Sequence, residues 1–188
     1  MKNLLLLLLL VLAGPAAPAQ APPFRPVVGP GTTFAYTLDL HGQHAPFELA
    51  VARATDTLKL TWRIRGLATG ACLVAPAAWQ RADRLYFAQP QPGTSVPLPH
   101  QTFLMLSKQA FADLRAQGRY TYDQTVYVRQ SKAAAAALRL NGQPLDVLHV
   151  VAQEDLTELW ILNNPDSPVI CRILHNPLGV DLVLNAIR

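Results

Sequence analysis

Three successive segments near the start of the chain alternate apolar and polar residues with a period of two. In TTFAYTLDL, Phe34, Tyr36, Leu38 and Leu40 alternate with Thr33, Ala35, Thr37 and Asp39. In PFELAVA, Phe47, Leu49 and Val51 alternate with Glu48, Ala50 and Ala52, and in TLKLTWRIR, Leu58, Leu60, Trp62 and Ile64 alternate with Lys59, Thr61, Arg63 and Arg65. That period predicts strands with one dry face. The connections are a turn over His41-Gly42-Gln43-His44 and a tight turn at Thr55-Asp56. Placing Leu40 opposite Ala45 sets Leu38 against Phe47 and Tyr36 against Leu49. Placing Ala54 opposite Thr57 sets Val51 against Leu60, Leu49 against Trp62 and Phe47 against Ile64. Both registers put Thr37 and Arg63 beside Glu48 on the wet face, and a one-residue slip would invert every side chain. An antiparallel meander follows.

After Gly66 the alternation stops. The stretch to His100 reads as a loop, a helical turn near Ala77 to Asp83, a short strand around Leu85 to Ala88, and a loop from Gln89 to Pro99 whose prolines exclude a central strand. TFLMLSKQAFADLRAQG reads as strand then helix: Ser107 suits the N-cap, Ala110, Phe111 and Leu114 share one face, and Gly118 suits the residue past the end. Tyr120 to Arg129 resumes strand character, while the alanine run in SKAAAAALRL leaves helix and strand both open. Asn141-Gly142 between LRL and QPLDVLHVV signals a type I′ hairpin. TELWIL, VICRIL and VDLVLNAI complete the chain, separated by turn-rich sequence at 163–168 and 176–179. The expected fold is mainly β (α+β): a large curved antiparallel sheet of about eight to ten strands, one main helix on its concave side, in a single domain over 31–188.

The first nineteen residues read differently. Lys2 precedes an apolar run from Leu4 to Leu12, too short to cross a ~30 Å hydrocarbon core at 1.5 Å per residue. Ala17 and Ala19 provide an A-x-A site, so 1–19 is expected to be a signal peptide cut after Ala19. Lipidation is excluded because no cysteine precedes Cys72. The alternative is an uncleaved anchor. Residues 20–30, rich in Ala and Pro, read as a flexible leader. Later apolar runs are short and broken by charge, so no membrane span is expected once the signal is removed. The protein is thus expected in the periplasm or outside the cell.

Export changes the reading of the two cysteines, Cys72 and Cys171. In an oxidising compartment a pair reads as a disulfide, provided its Cα atoms come within roughly 7 Å; otherwise both are buried thiols. Charge adds little. The chain holds 16 Lys and Arg against 12 Asp and Glu, a net +4, and loss of Lys2 with the signal leaves +3. Basic residues are scattered, with no run to track a phosphate backbone, so nucleic acid is not an expected partner.

Motifs that carry chemistry are few. Gly93-Thr94-Ser95-Val96-Pro97 departs from the G-x-S-x-G nucleophile elbow at its last position. His41 and His44 have a metal-ligand spacing, but they sit on a turn with no third ligand near. Lys59, Arg63 and Arg65 on the wet face of the third strand form either an anion-binding patch or the ordinary polar side of a half-exposed sheet. Trp62 and Trp160 fall inside strand patterns and read as core, and Glu154, Asp155 and Glu158 lie at a turn without a partner. Trp79, in the irregular connection, is the aromatic best placed to touch a ligand. No catalytic residue, metal ligand or cofactor is assigned.

The closing third, RLNGQPLDVLHVV, TELWILNNPDSPVICRIL and GVDLVLNAI, resembles the C-terminal region of uncharacterised exported bacterial β-sheet proteins. Their architecture is in turn similar to the helix-plugged half-barrel of periplasmic lipoprotein carriers. The resemblance implies a long sheet holding a helix and a hydrophobic ligand; it implies no functional residue. The expected function is therefore a non-catalytic periplasmic or envelope protein. It would bind an apolar or amphipathic ligand, or an envelope protein, between sheet and helix, with Trp79, Phe111 and Leu114 as contacts. Two alternatives stand beside it: a secreted hydrolase with its site in residues 66–100, and a structural or adhesive surface module with a filled core and an exposed apolar patch.

Overall fold

The computed structural model describes residues 22–88, 91–131, 135 and 138–188. The expected signal peptide and its cleavage site lie outside the described residues, as does most of the alanine run at 133–137. The chain folds into an open, curved, mixed sheet of 11 strands, with 51% of the residues in strands and 11% in helices.

The strands are β1 (Thr33–Leu40), β2 (Gln43–Ala54), β3 (Leu58–Ile64), β4 (Ala68–Val74), β5 (Ser95–Leu98), β6 (Arg119–Tyr122), β7 (Thr125–Arg129), β8 (Arg139–Leu140), β9 (Gln143–Pro144), β10 (Val147–Ala152), β11 (Glu158–Leu162), β12 (Ile170–Leu174) and β13 (Val180–Ile187). The helices are α1 (Pro76–Arg81) and α2 (Lys108–Gln117). The sheet order is β5-β4-β3-β2-β1-β13-β12-β11-β10-β7-β6, and β8-β9 forms a separate hairpin. The first and last strands therefore meet at the middle of the sheet, Tyr36 opposite Leu184 and Leu38 opposite Leu182.

The β2–β3 register follows the hydrophobic pattern: Phe47 faces Ile64, Leu49 faces Trp62 and Val51 faces Leu60, with a bulge between Val51 and Arg53 that moves Ala54 to Leu58. The β1–β2 register differs from expectation by two residues, with Leu40 opposite Gln43 and Tyr36 opposite Phe47. The cause is the turn. His41 and Gly42 both have positive φ (52° and 85°), which makes a two-residue hairpin rather than a four-residue one. A shift of two preserves the face of every side chain, so Phe34, Tyr36, Phe47 and Leu49 all remain buried.

β4 is the strand the pattern conceals. Its inward residues Gly70 and Cys72 are small because Trp62, directly opposite Gly70, fills the space above it. A Cβ at Gly70 would fall within the Trp62 indole, 2.7 Å from Cε2. β5 is the other surprise: residues 95–98 lie in the expected proline loop, yet they pair parallel to β4. Pro97 fits there because β5 is an edge strand. The strand expected near Leu85 reduces to one bridge with Thr102.

α2 forms where the sequence places it. Ser107 Oγ accepts from the Ala110 N–H, Gly118 closes the helix at φ 71°, and Ala110, Phe111 and Leu114 are buried. Tyr122 connects this helix to the sheet: its hydroxyl accepts from the Ser107 N–H at 3.2 Å and shares a hydrogen bond of 2.8 Å with Thr102. The pairings Tyr120–Tyr127 and Tyr127–Ala152 put these tyrosines on the same apolar face as Val150. α2 therefore covers the dry face.

The expected disulfide is corrected. Cys72 and Cys171 are free thiols, each buried. β3, β2, β1 and β13 lie between their strands, about 24 Å along the sheet at ~4.8 Å per strand. The cysteines fit as small apolar residues on a crowded face, and burial raises the Cys72 thiol to about 12. Within the described part of the expected leader, Phe24 bridges Leu145, its N–H donating to Pro144 O at 2.7 Å, and Arg25 pairs with Asp146 at 2.6 Å.

Candidate functional site

The expected contact residues are not brought together around an opening. Phe111 and Leu114 are 2% and 0% exposed, so the space between helix and sheet is filled at both positions. Trp79 lies on α1, half-buried, and one of its ring faces carries the Lys108 ammonium at 4.7 Å from the centroid. All three side chains support the core rather than an accessible pocket.

The outer face of the first half-sheet is different. Register aligns Thr33, Ala50, Thr61, Ala71 and Ser95 in one row across β1 to β5. Short side chains in all five places leave a trough running across the strands, about 19 Å long at ~4.8 Å per strand. One wall is the row Glu48, Arg63, Thr69; the other is Lys59 and Leu73, continued by Pro97. The depression holds about 510 Å³ and extends to the Gly93-Thr94 turn. A second depression of about 430 Å³ continues beyond Glu48, over Thr37, Pro46, Asn185 and Arg188.

The electrostatics favour an anion. Glu48 is the one carboxylate in the trough, and it is engaged by Arg63 at 3.9 Å and by Arg188 at 3.8 Å. Lys59 has no carboxylate partner among the described residues. Lys59 and Arg63 are four residues apart on one strand, which separates their Cα atoms by about 13 Å on opposite sides of Thr61. The floor and ends add hydroxyls from Thr33, Thr61, Thr69, Thr94 and Ser95. Two cations over a hydroxyl-lined floor can hold an extended anionic chain by charge and hydrogen bonds. Arg65 lies outside the trough, on the β3–β4 turn with φ 53°.

The remaining sequence candidates give no reactive centre. His41 occupies the β1–β2 turn and stacks against Gly179, while His44 turns to Asp39 at 3.4 Å. His100 shares a surface depression with Asp83, Arg84, Pro99 and Gln101, a set without a nucleophile, and Ser95 lies in the trough instead. Burial raises both cysteine thiols, and the Cys171 thiol donates weakly to Val169 O at 3.6 Å, so neither is a ready thiolate.

Set against protein-family models, curated proteins and solved structures, the chain finds no match in any of the three.

One cluster was missed by sequence reasoning. On the outer face of the second half-sheet, His149 stacks on Trp160 at 4.1 Å between centroids, and the Arg172 guanidinium lies 4.7 Å from the Trp160 ring. Glu158 meets His149 Nε2 at 2.7 Å and His175 Nδ1 at 3.3 Å. Cross-strand pairing of His149 with Trp160 and of Trp160 with Arg172 creates this ladder. The signal existed as a register, but the continuous apolar run around His149 hides which face it takes.

Proposed function

We propose that the chain is an exported, non-catalytic protein of the periplasm or cell envelope that holds an extended anionic, hydroxyl-bearing ligand across the trough of β1 to β5. The observation that supports this most is the single row Thr33–Ala50–Thr61–Ala71–Ser95 with Lys59 and Arg63 on opposite walls. Exposed charge contacts contribute ~0.2–1 kcal/mol each and hydrogen bonds ~1 kcal/mol each, so two of the first and two or three of the second give roughly 4 kcal/mol, a millimolar affinity per ligand segment. A polymer would gain by repeating that contact.

Titration calorimetry with polygalacturonate, using neutral dextran as control, tests the reading. The wild-type chain should bind the acidic polymer, more weakly as salt rises. The Lys59→Glu/Arg63→Glu variant should lose binding by about tenfold or more while its melting curve is kept. Equal uptake of dextran, or a double variant that binds as well as wild type, would sink the proposal.

A further inference from the structure

The floor of the trough does not stop at Thr33. Thr33 and Arg188 exchange two backbone hydrogen bonds, each of 2.9 Å, so the row Ser95–Ala71–Thr61–Ala50–Thr33 continues to Arg188, just past the end of β13. The wall beside it changes character along the same strands. Thr69, Arg63 and Glu48 are followed by Ala35 and Ala186. The wall therefore drops beyond Glu48, and the first depression opens there into the second, where the Asn185 amide donates to Thr37 Oγ1 at 2.9 Å. Glu48 stands at this opening and is the one carboxylate lining either depression among the described residues. One of its oxygens faces Arg63 at 3.9 Å and the other faces Arg188 at 3.8 Å.

We propose, resting on the trough as an anion site, that Glu48 is a specificity-determining residue. It admits anionic polymers whose charges are separated by uncharged, hydroxyl-bearing stretches, and it repels polymers charged at every backbone position. The fold has little use for its charge, because both of its ion pairs are exposed and close to the ~4 Å limit, where such pairs add little stability. What the carboxylate does is divide the cations. Lys59 and Arg63 on β3 lie to one side of it and Arg188 to the other. A chain lying along the trough meets positive charge, then Glu48, then positive charge again. An anionic group over Glu48 faces a like charge, a contact that excludes wrong ligands. A hydroxyl in the same place donates to the carboxylate instead. Carboxylates on successive sugar rings with hydroxyls between them satisfy that order. A polyphosphate, ionised at every phosphorus, does not.

Titration calorimetry of polygalacturonate and of inorganic polyphosphate tests this on wild type, Glu48→Gln and Glu48→Asp. The wild-type chain should bind polygalacturonate the more tightly, although polyphosphate is the more densely charged. Glu48→Gln leaves Lys59, Arg63 and Arg188 without a carboxylate between them, while its amide oxygen still accepts from a hydroxyl. It should tighten polyphosphate binding by about tenfold and change polygalacturonate binding by less than about threefold. Glu48→Asp retains the charge and should retain the wild-type preference. Thermal melts confirm that each variant is folded. A wild-type chain that binds neither polymer would remove the trough reading, and the role of Glu48 with it. A wild-type chain that binds polygalacturonate but prefers polyphosphate would overturn the role of Glu48 alone. So would a Gln variant that shifts both polymers alike, or an Asp variant that behaves as the Gln variant does.

Discussion

Along β1, β2 and β3 buried residues alternate with partly or fully exposed ones, whereas in β10 and β11 all but one residue of each strand is buried. The outer face is continuous between them, passing from Thr61 through Ala50 and Thr33 on one side to Arg172 and Trp160 on the other. At the first end it is open and holds a trough. At the second it is closed, with Val147, His149, Trp160 and Leu162 all buried. The same sheet thus contains a half with an open outer surface and a half built as two-sided core. The difference lies in what packs on the outside: small and polar side chains leave room, while large ones stack across strands and exclude water.

The sharpest way to break this contrast is to truncate one outer-face residue in each half. Trp160→Ala should destabilise by about 3–5 kcal/mol, as expected for a buried aromatic that also supports His149 and Arg172. Thr61→Ala, in the trough, should change stability by less than about 0.5 kcal/mol. Urea denaturation of both variants measures the pair, and similar losses would mean that the two halves are not differently built.

A smaller effect sharpens the point on the inner face, where the first half is crowded. Gly70→Ala should destabilise by about 1–3 kcal/mol because its methyl would enter the Trp62 ring. Trp62→Leu alone should also destabilise, but in combination with Gly70→Ala the losses should be less than additive. Strict additivity would show that the two side chains do not share that space.

The clean alternation of the first half made its strands and their faces legible, since an uncovered outer face keeps polar residues at every second position. The cations of the trough, Lys59 and Arg63, were visible for the same reason. The trough itself was not, because it depends on pairing Thr33 with Ala50 and on β5 lying beside β4, and no local pattern reports a parallel pairing across an intervening helix. The helix α2 was legible from its caps. The β6–β7 turn was not: Asp123 and Gln124 take positive φ (51° and 69°) without a glycine to announce it. Burial on both faces hid His149, Glu158 and Trp160, and a tryptophan filling the space of a glycine hid β4.

The smallest expected effect lies at that β6–β7 turn, on the margin of the covered half. Burial raises the Asp123 carboxyl above its usual 3.8, opposed by the Leu85 N–H it accepts at 2.9 Å and by Arg84. A carboxyl raised on folding contributes stability that is full below its unfolded value and lost as pH rises through the folded one. Asp123→Asn keeps an acceptor for Leu85 and removes this titration. Its stability should therefore fall less than that of wild type as pH rises from about 3.8 through the mildly acidic range. Urea midpoints measured across that range would show parallel curves if the carboxyl is unperturbed.

The pairing of β1 with β13 has a consequence in time. Until residues 180–187 have been synthesised, one long edge of β1 has no partner, and the finished meander β1 to β4 exposes it. At 5–20 residues per second, the stretch from Leu40 to Val180 takes about 7–28 s. A nascent chain in that interval is a half-sheet with an open edge, prone to pair with its neighbours. Delivery across a membrane in an unfolded state, with folding postponed until the last strand arrives, would spare the chain that interval.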